Sequence, residues 1–177
     1  MSKQNLVLCG FMGCGKTTVG RLLSDKTGYR FVDMDEYIET ETGMTVSAIF
    51  EQFGEADFRR REREACKALA KEEGLIIATG GGALTFAENV EALSATGCII
   101  LLSVTPETVL ARLDGDTTRP LLSRPDKEEA LRTLFASRLP LYQKAAHIEV
   151  DGNADAAQVA DSVLAALKKL ENSGKNG

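Results

Sequence analysis

Gly10-Phe11-Met12-Gly13-Cys14-Gly15-Lys16-Thr17 is the stretch that decides how the rest of the chain is read. It spells G-x-x-x-x-G-K-T, the Walker A or P-loop pattern, and Thr18 follows. Ahead of it, Leu6-Val7-Leu8-Cys9 is a short apolar run suited to a buried strand. Behind it, Val19, Leu22 and Leu23 recur at helical spacing between Thr18 and Lys26. A strand, a glycine loop and a helix in that order is the context the motif requires. Glycines 10, 13 and 15 let the backbone turn tightly, so successive N–H groups face an anion with no side chain between. The helix starting near Lys16 adds the positive end of its dipole. Gly13, Cys14, Gly15, Lys16, Thr17 and Thr18 are therefore the candidate phosphate holders. Lys16 would bridge the outer phosphates, and the Thr17 hydroxyl would serve as a ligand for Mg²⁺.

Outward from this loop, apolar strands alternate with helical patterns. Arg30 to Asp33 reads as a second strand, followed by a short helix over Glu36 to Thr42 that Gly43 ends. Thr45 caps the next helix, with Val46, Ile49, Phe50 and Phe53 on one face. Gly54 separates it from a long charged helix reaching about Glu73. Leu75-Ile76-Ile77-Ala78 is a third strand, followed by Thr79-Gly80-Gly81-Gly82 and a helix near Phe86 to Ala95. Cys98 to Leu102 is the most apolar strand, and Pro106 opens the helix that carries Val109, Leu110 and Leu113. From Asp114 to Asp126 the pattern gives way to a long loop, a length that usually has a function. A helix over Lys127 to Ala145, a strand over His147 to Val150 and a helix over Ala154 to Leu170 complete the order, with Glu171 to Gly177 a frayed polar tail. The alternation predicts one α/β domain over residues 1–177, with a five-stranded parallel sheet covered on both faces.

Composition narrows the function. At 177 residues with 44% hydrophobic and 27% charged, the chain is long enough for one real core. A net charge of −5 argues against a nucleic-acid or anionic-membrane surface, so the anions it handles are small and held locally. Cys9, Cys14, Cys66 and Cys98 show neither metal-ligand spacing nor a disulfide framework. Cys14, in a phosphate loop at a helix start, is the one open to a lowered pKa and to oxidation. With no signal-like N-terminus and no apolar run of membrane length, the expectation is a cytoplasmic protein.

The strand ends must say what is done with the phosphate, since ligands in open α/β sheets lie at the carboxyl ends of strands. Asp33 and Asp35 close the second strand. In extended geometry they project to one side, so one could support Mg²⁺ while the other takes a proton from a hydroxyl nucleophile; helix capping competes for either. Gly80, Gly81 and Gly82 exceed what a simple turn needs and would let a ligand press against the backbone. In Arg59-Arg60-Arg61-Glu62-Arg63 most members read as a solvated helix face. At about 100° per residue, Arg60 lies opposite the Phe58, Ala65 and Leu69 stripe, and only Arg59 and Arg61 border it. Arg112, Arg119 and Arg124 frame the long loop and Arg138 lies on the next helix. A loop carrying arginine over a nucleotide is the usual form of a lid. His147, the only histidine, suits a structural role.

Taken together, these residues resemble the shikimate kinases from about Leu6 to Leu167. The P-loop version matches, as do Phe31-Val32-Asp33-Met34-Asp35 with Ile38-Glu39, and Ile49-Phe50 with Gly54-Glu55 and Phe58-Arg59. Gly80-Gly81-Gly82, Arg119-Pro120-Leu121-Leu122 and Arg138-Leu139-Pro140-Leu141-Tyr142 follow in family order. The resemblance implies a nucleoside-monophosphate-kinase-like three-layer fold with a mobile lid, about 114–126. It implies transfer of the ATP γ-phosphoryl group to the 3-hydroxyl of shikimate, on the way to chorismate and aromatic amino acids. Lys16, Asp35 and Arg119 would be catalytic. Asp35, Arg59, the three glycines and Arg138 would hold shikimate, the two arginines on its carboxylate. Arg119 would meet the phosphates and Arg112 the adenine, while Thr17 would bind Mg²⁺ with Asp33 supporting it through water. A monomer is implied as well. A kinase for gluconate or a nucleoside monophosphate, or a nucleotide-binding module without catalysis, remain the alternatives.

Overall fold

The computed structural model describes residues 3–116 and 118–175. All five expected strands form: β1 (Asn5–Cys9), β2 (Arg30–Asp33), β3 (Leu75–Ala78), β4 (Gly97–Ser103) and β5 (Ile148–Asp151). They make one all-parallel sheet in the order β2-β3-β1-β4-β5, with Val7 opposite both Ile77 and Ile99. β1 is thus central, and the chain fills one side of it before crossing to the other. Val7, Leu8, Ile76, Ile77, Ile99 and Ile100 are fully buried. At about 1.5–3 kcal/mol for each such side chain, burial along these central strands contributes substantially to the core.

The helices are α1 (Lys16–Thr27), α2 (Met34–Thr42), α3 (Val46–Leu69), α4 (Ala87–Ser94), α5 (Pro106–Arg112), α6 (Lys127–Ala145) and α7 (Ala156–Gly174). α1 packs on β3 and beside α7, while α4 packs on β4 and beside α3, giving the layered α/β arrangement. Short 3₁₀ turns occupy Ala83–Thr85 and Pro120–Ser123. Among the described residues, no helix is long and apolar enough to cross a membrane.

Several boundaries differ from the sequence reading, each for a local reason. α2 starts at Met34 because Asp33 caps it, accepting from the Glu36 N–H at 3.1 Å. Asp35 is therefore in a first helical turn, and the two aspartates are not related by strand alternation. Gly54 (φ 83°, ψ 174°) kinks α3 without ending it, a backbone state that glycine adopts without strain. Upstream of the kink only Ile49 is buried; Phe50 and Phe53 stay 37% and 53% exposed, so the expected common face divides. The charged helix stops at Leu69, short of Glu73, and Gly74 turns the chain into β3. α7 continues through Glu171 to Gly174, so the expected frayed tail is helical there; residues 176 and 177 lie outside the described residues. His147 precedes β5 and completes its pairing: its N–H bonds Ile99 O, and its Nδ1 accepts from the Ile99 N–H.

Candidate active site

Two polar side chains prepare the sheet for a site at one end. Asn5, buried at the amino end of β1, accepts from the Leu75 N–H and donates to the Glu72 carbonyl, closing that end. Thr79, buried just past β3, donates its hydroxyl to Leu8 O at 2.9 Å and so fixes the point from which the glycine run departs. The carboxyl ends of β1, β2 and β3 open into a cleft of about 460 Å³. The arrangement is the one expected beside the strand at which the sheet order reverses.

The loop after β1 forms the first wall. Gly15 is the N-cap of α1 at φ 94°, and no side chain caps the helix. Its first N–H groups are therefore not taken up by a cap, which leaves donors and a positive dipole end for an anion. Lys16 Nζ donates to the carbonyls of Gly10 (2.7 Å) and Phe11 (3.3 Å), holding the loop in shape. Thr17 Oγ1 lies 3.4 Å from Asp33 Oδ2, while Asp33 Oδ1 holds the cap of α2. One aspartate thus caps α2 with one oxygen and meets Thr17 with the other. Cys14 is only 1% exposed, with its Sγ near Lys16 Nζ, so burial shields the thiol marked above for oxidation.

The opposite wall is made of charged side chains. Arg59 reaches inward from α3 with its Nη1 2.8 Å from Glu62 Oε1, and its Nε is 3.5 Å from Glu55 Oε1. Arg60 is turned outward to Asp57 and Glu64, as its place on the helix predicted. Arg61, the other borderline arginine, bonds Asp57 and faces a separate groove beside α2. Glu62 is the surprise. It is 1% exposed, and burial pushes its carboxyl up against the opposing pull of Arg59. Asp35 is also raised, by burial first and then by the negative charges of Asp33 and Glu39. A carboxylate so raised is a better proton acceptor than a solvated aspartate.

The three glycines explain how these groups fit. A Cβ on Gly80 would lie 3.2 Å from Asp35 Oδ1 and 3.4 Å from Glu62 Oε2. On Gly81 it would lie 3.1 Å from Arg138 Nη1, and on Gly82 2.6 Å from Arg59 Nη2. None of the three has a positive φ. Their role in the fold is close approach: each missing side chain admits one or two charged groups of the cleft. Arg138 and Arg119 complete the lining. Arg119 belongs to the 114–126 loop and lies 3.5 Å from Asp116; Thr117 of that loop is outside the described residues. Arg124 turns away to Asp126.

Cys14, Gly15 and Thr18 also border a second cleft of about 280 Å³, with Arg112, Gly152 and the start of α7. Arg112 donates to Gly13 O, Gly152 O and Ala154 O, which ties the P-loop to the segment after β5. Val46, Phe58, Glu62 and Thr79 in the main cleft, and Ala154 to Ala156 in the second, were absent from the sequence-derived set. Glu62 had left a signal. Phe58, Glu62, Ala65 and Leu69 fall on one helical stripe, so a carboxylate stood at a core position.

A phosphate-holding loop that faces a raised carboxylate and several arginines, on a five-stranded parallel sheet, defines a P-loop kinase for a small anionic acceptor. The family model for shikimate kinase matches residues 12–168, and the chain belongs to the shikimate kinase family, a family of phosphotransferases. It is 46% identical over 175 residues to a shikimate kinase of Symbiobacterium thermophilum, covering 98% of this chain and 99% of that one. A relative of the same name from Thermodesulfovibrio yellowstonii is 41% identical, over 96% and 98% of the two chains. The solved structure of shikimate kinase from Acinetobacter baumannii in complex with shikimate matches with a TM-score of 0.87 at 41% identity, covering 98% of this chain and 95% of that one. A gluconokinase from Sinorhizobium meliloti 1021 matches with a TM-score of 0.59 at 17% identity, a likeness of fold alone.

Proposed function

We propose that this chain transfers the γ-phosphoryl group of ATP to the 3-hydroxyl of shikimate, giving shikimate 3-phosphate and ADP. The observation that carries this is the meeting, in one cleft, of the uncapped α1 N-terminus, the raised Asp35 and the Arg59 and Arg138 guanidiniums. Phosphate chemistry needs the first, a hydroxyl nucleophile the second, and a substrate carboxylate the third.

In this reading the N–H groups of Gly13 to Thr18 cradle the ATP phosphates, with Lys16 turned from its loop carbonyls to the outer oxygens. The adenine lies toward the second cleft, where Arg112 shapes the wall. Arg59 and Arg138 hold the shikimate carboxylate, and Glu62 steadies Arg59 through their ion pair. Asp35 accepts the proton of the attacking 3-hydroxyl as the bond to phosphorus forms. Arg119 neutralises the transferring group, and closure of the 114–126 lid excludes water that would otherwise hydrolyse ATP.

Thr17 and Asp33 fit Mg²⁺. Among the described residues no set of three acidic, histidine or cysteine ligands is assembled, and Mg²⁺ needs few protein ligands when phosphates and waters supply the rest. Held by Thr17 and Asp33, such an ion would supply neutralisation of the phosphate charge. The chain is further proposed to act as a cytoplasmic monomer, one domain over residues 1–177, with shikimate and ATP as its partners and no nucleic acid.

ADP release measured with shikimate, gluconate and nucleoside monophosphates tests the assignment. Turnover with shikimate well above the other two is expected. Preference for either competitor, or ATP binding without shikimate turnover, would sink it.

A further inference from the structure

Tyr142 is buried at 2% exposure on α6, one helical turn beyond Arg138, and the reaction as described makes no use of it. Its hydroxyl donates to the Gly81 carbonyl. A carbonyl can only accept, so the phenol proton is committed there and the oxygen's lone pairs are left for another donor. Arg138 is a group made only of donors, and its charge lies close enough to the phenol to oppose the effect of burial on it. A Cβ built on Gly81 would lie 3.1 Å from Arg138 Nη1 and 3.9 Å from Tyr142 Oη, so both side chains converge on one peptide.

We propose that Tyr142 is a positioning residue, whose hydroxyl ties Arg138 to the Gly81 carbonyl and aims the rest of its guanidinium at the acceptor's carboxylate. The inference rests on the reading of Arg138 given above. One donor of the fork is spent on the phenol, and the fork is thereby oriented while four donors stay available. Burial pushes the phenol up to about 12, so it stays a neutral hydroxyl and keeps its donor throughout the neutral range. The tie also has a structural reason to exist. Pro140 lies inside α6 between the two residues and has no N–H to offer the carbonyl four residues back. The helix is least held by its own ladder where Arg138 must be most firmly aimed. A contact from the side chain to the glycine turn restores that hold. Phenylalanine would fill the same volume but remove the hydroxyl beside Arg138, which is a rotamer problem and not a packing one.

The experiment is a double-mutant cycle on the full chain with Tyr142→Phe, Arg138→Met and both together, reading kcat and KM for shikimate and for ATP. Loss of one hydrogen bond to a charged group predicts that Tyr142→Phe raises KM for shikimate about tenfold, with kcat and KM for ATP within about twofold. In the Arg138→Met background the same change should alter kcat/KM for shikimate less than about twofold, because the group it acts through is gone. An equal loss in both backgrounds, an unchanged Tyr142→Phe enzyme, an unaltered Arg138→Met enzyme, or loss of the folded state on thermal melting would each overturn the proposal. Failure of the functional reading is separate and visible at once, because the wild-type chain would then not turn over shikimate.

Discussion

The two walls of the cleft are built on different principles. The proposed donor wall is one continuous stretch, Gly10 to Thr18, which offers backbone N–H donors and the adjoining Lys16 and Thr17. The acceptor wall collects Asp35 from α2, Arg59 and Glu62 from α3, and Arg138 from α6, and fits them against a glycine turn after β3. A backbone site is encoded locally and tolerates change in side chains it does not use. A side-chain site assembled from four elements depends on the position of each, and its charges are mutually supporting. Substitutions on the acceptor side should therefore alter shikimate handling and leave ATP binding nearly intact, and the reverse should hold for the donor side.

The sharpest test of that division is Asp35→Asn. Removal of a general base predicts a fall in kcat of about 10²–10⁴ with little change in KM for ATP. A wild-type kcat would remove Asp35 from the chemistry. Arg138→Ala comes next, weakening shikimate binding by about 2–5 kcal/mol as the carboxylate loses a charged partner. Calorimetric titration with shikimate would measure it, and unchanged affinity would take Arg138 out of the wall.

Gly82→Ala probes the fit more than the charge. Its φ of −99° suits alanine, so the fold should survive, but the new Cβ would meet Arg59 at 2.6 Å. We expect KM for shikimate to rise about tenfold or more, as for a displaced charge-assisted bond, with KM for ATP unmoved. A parallel rise in both constants would show that the walls are not independent. Arg112→Ala is the donor-side counterpart. Losing its three carbonyl contacts across a largely exposed surface should cost about 1 kcal/mol and raise KM for ATP several-fold, with shikimate unaffected.

The smallest effect is on stability. Asp35 has its pKa raised in the folded chain, so its ionised form opposes folding once pH exceeds the unfolded value. That cost is full above the folded pKa and vanishes below the unfolded one. Asp35→Asn should therefore raise the Tm at neutral pH, with the gain shrinking as pH falls through the carboxylate range. Melting curves across that range would check it; a gain that grows in acid would contradict the sign.

How much could be read beforehand follows the same line. The P-loop, the five strands and the parallel sheet were visible because apolar runs and glycine spacing are local signals. Asp33 was readable only in part. Strand alternation suggested a shared face with Asp35, whereas a helix cap brings the pair into the cleft by another route. Arg59 and Arg61 were indistinguishable by helical angle, since both border the same stripe, and the family resemblance singled out Arg59. The structure puts Arg59 in the cleft and Arg61 in a separate groove beside α2. Glu62 was passed over because a run of charges looks solvated, even though its place on the apolar stripe was open to view.

By itself, then, the sequence determined the sheet, the phosphate loop and the inventory of charges, because strand burial, backbone turning and residue type act over a few neighbours. Only the tertiary structure decided which charges meet, that Glu62 goes inside with Arg59, that Cys14 is sealed, and why three glycines stand in a row. Those outcomes depend on helices far apart in the chain arriving at one strand end. There the space left by a missing Cβ settles which guanidinium or carboxylate can enter.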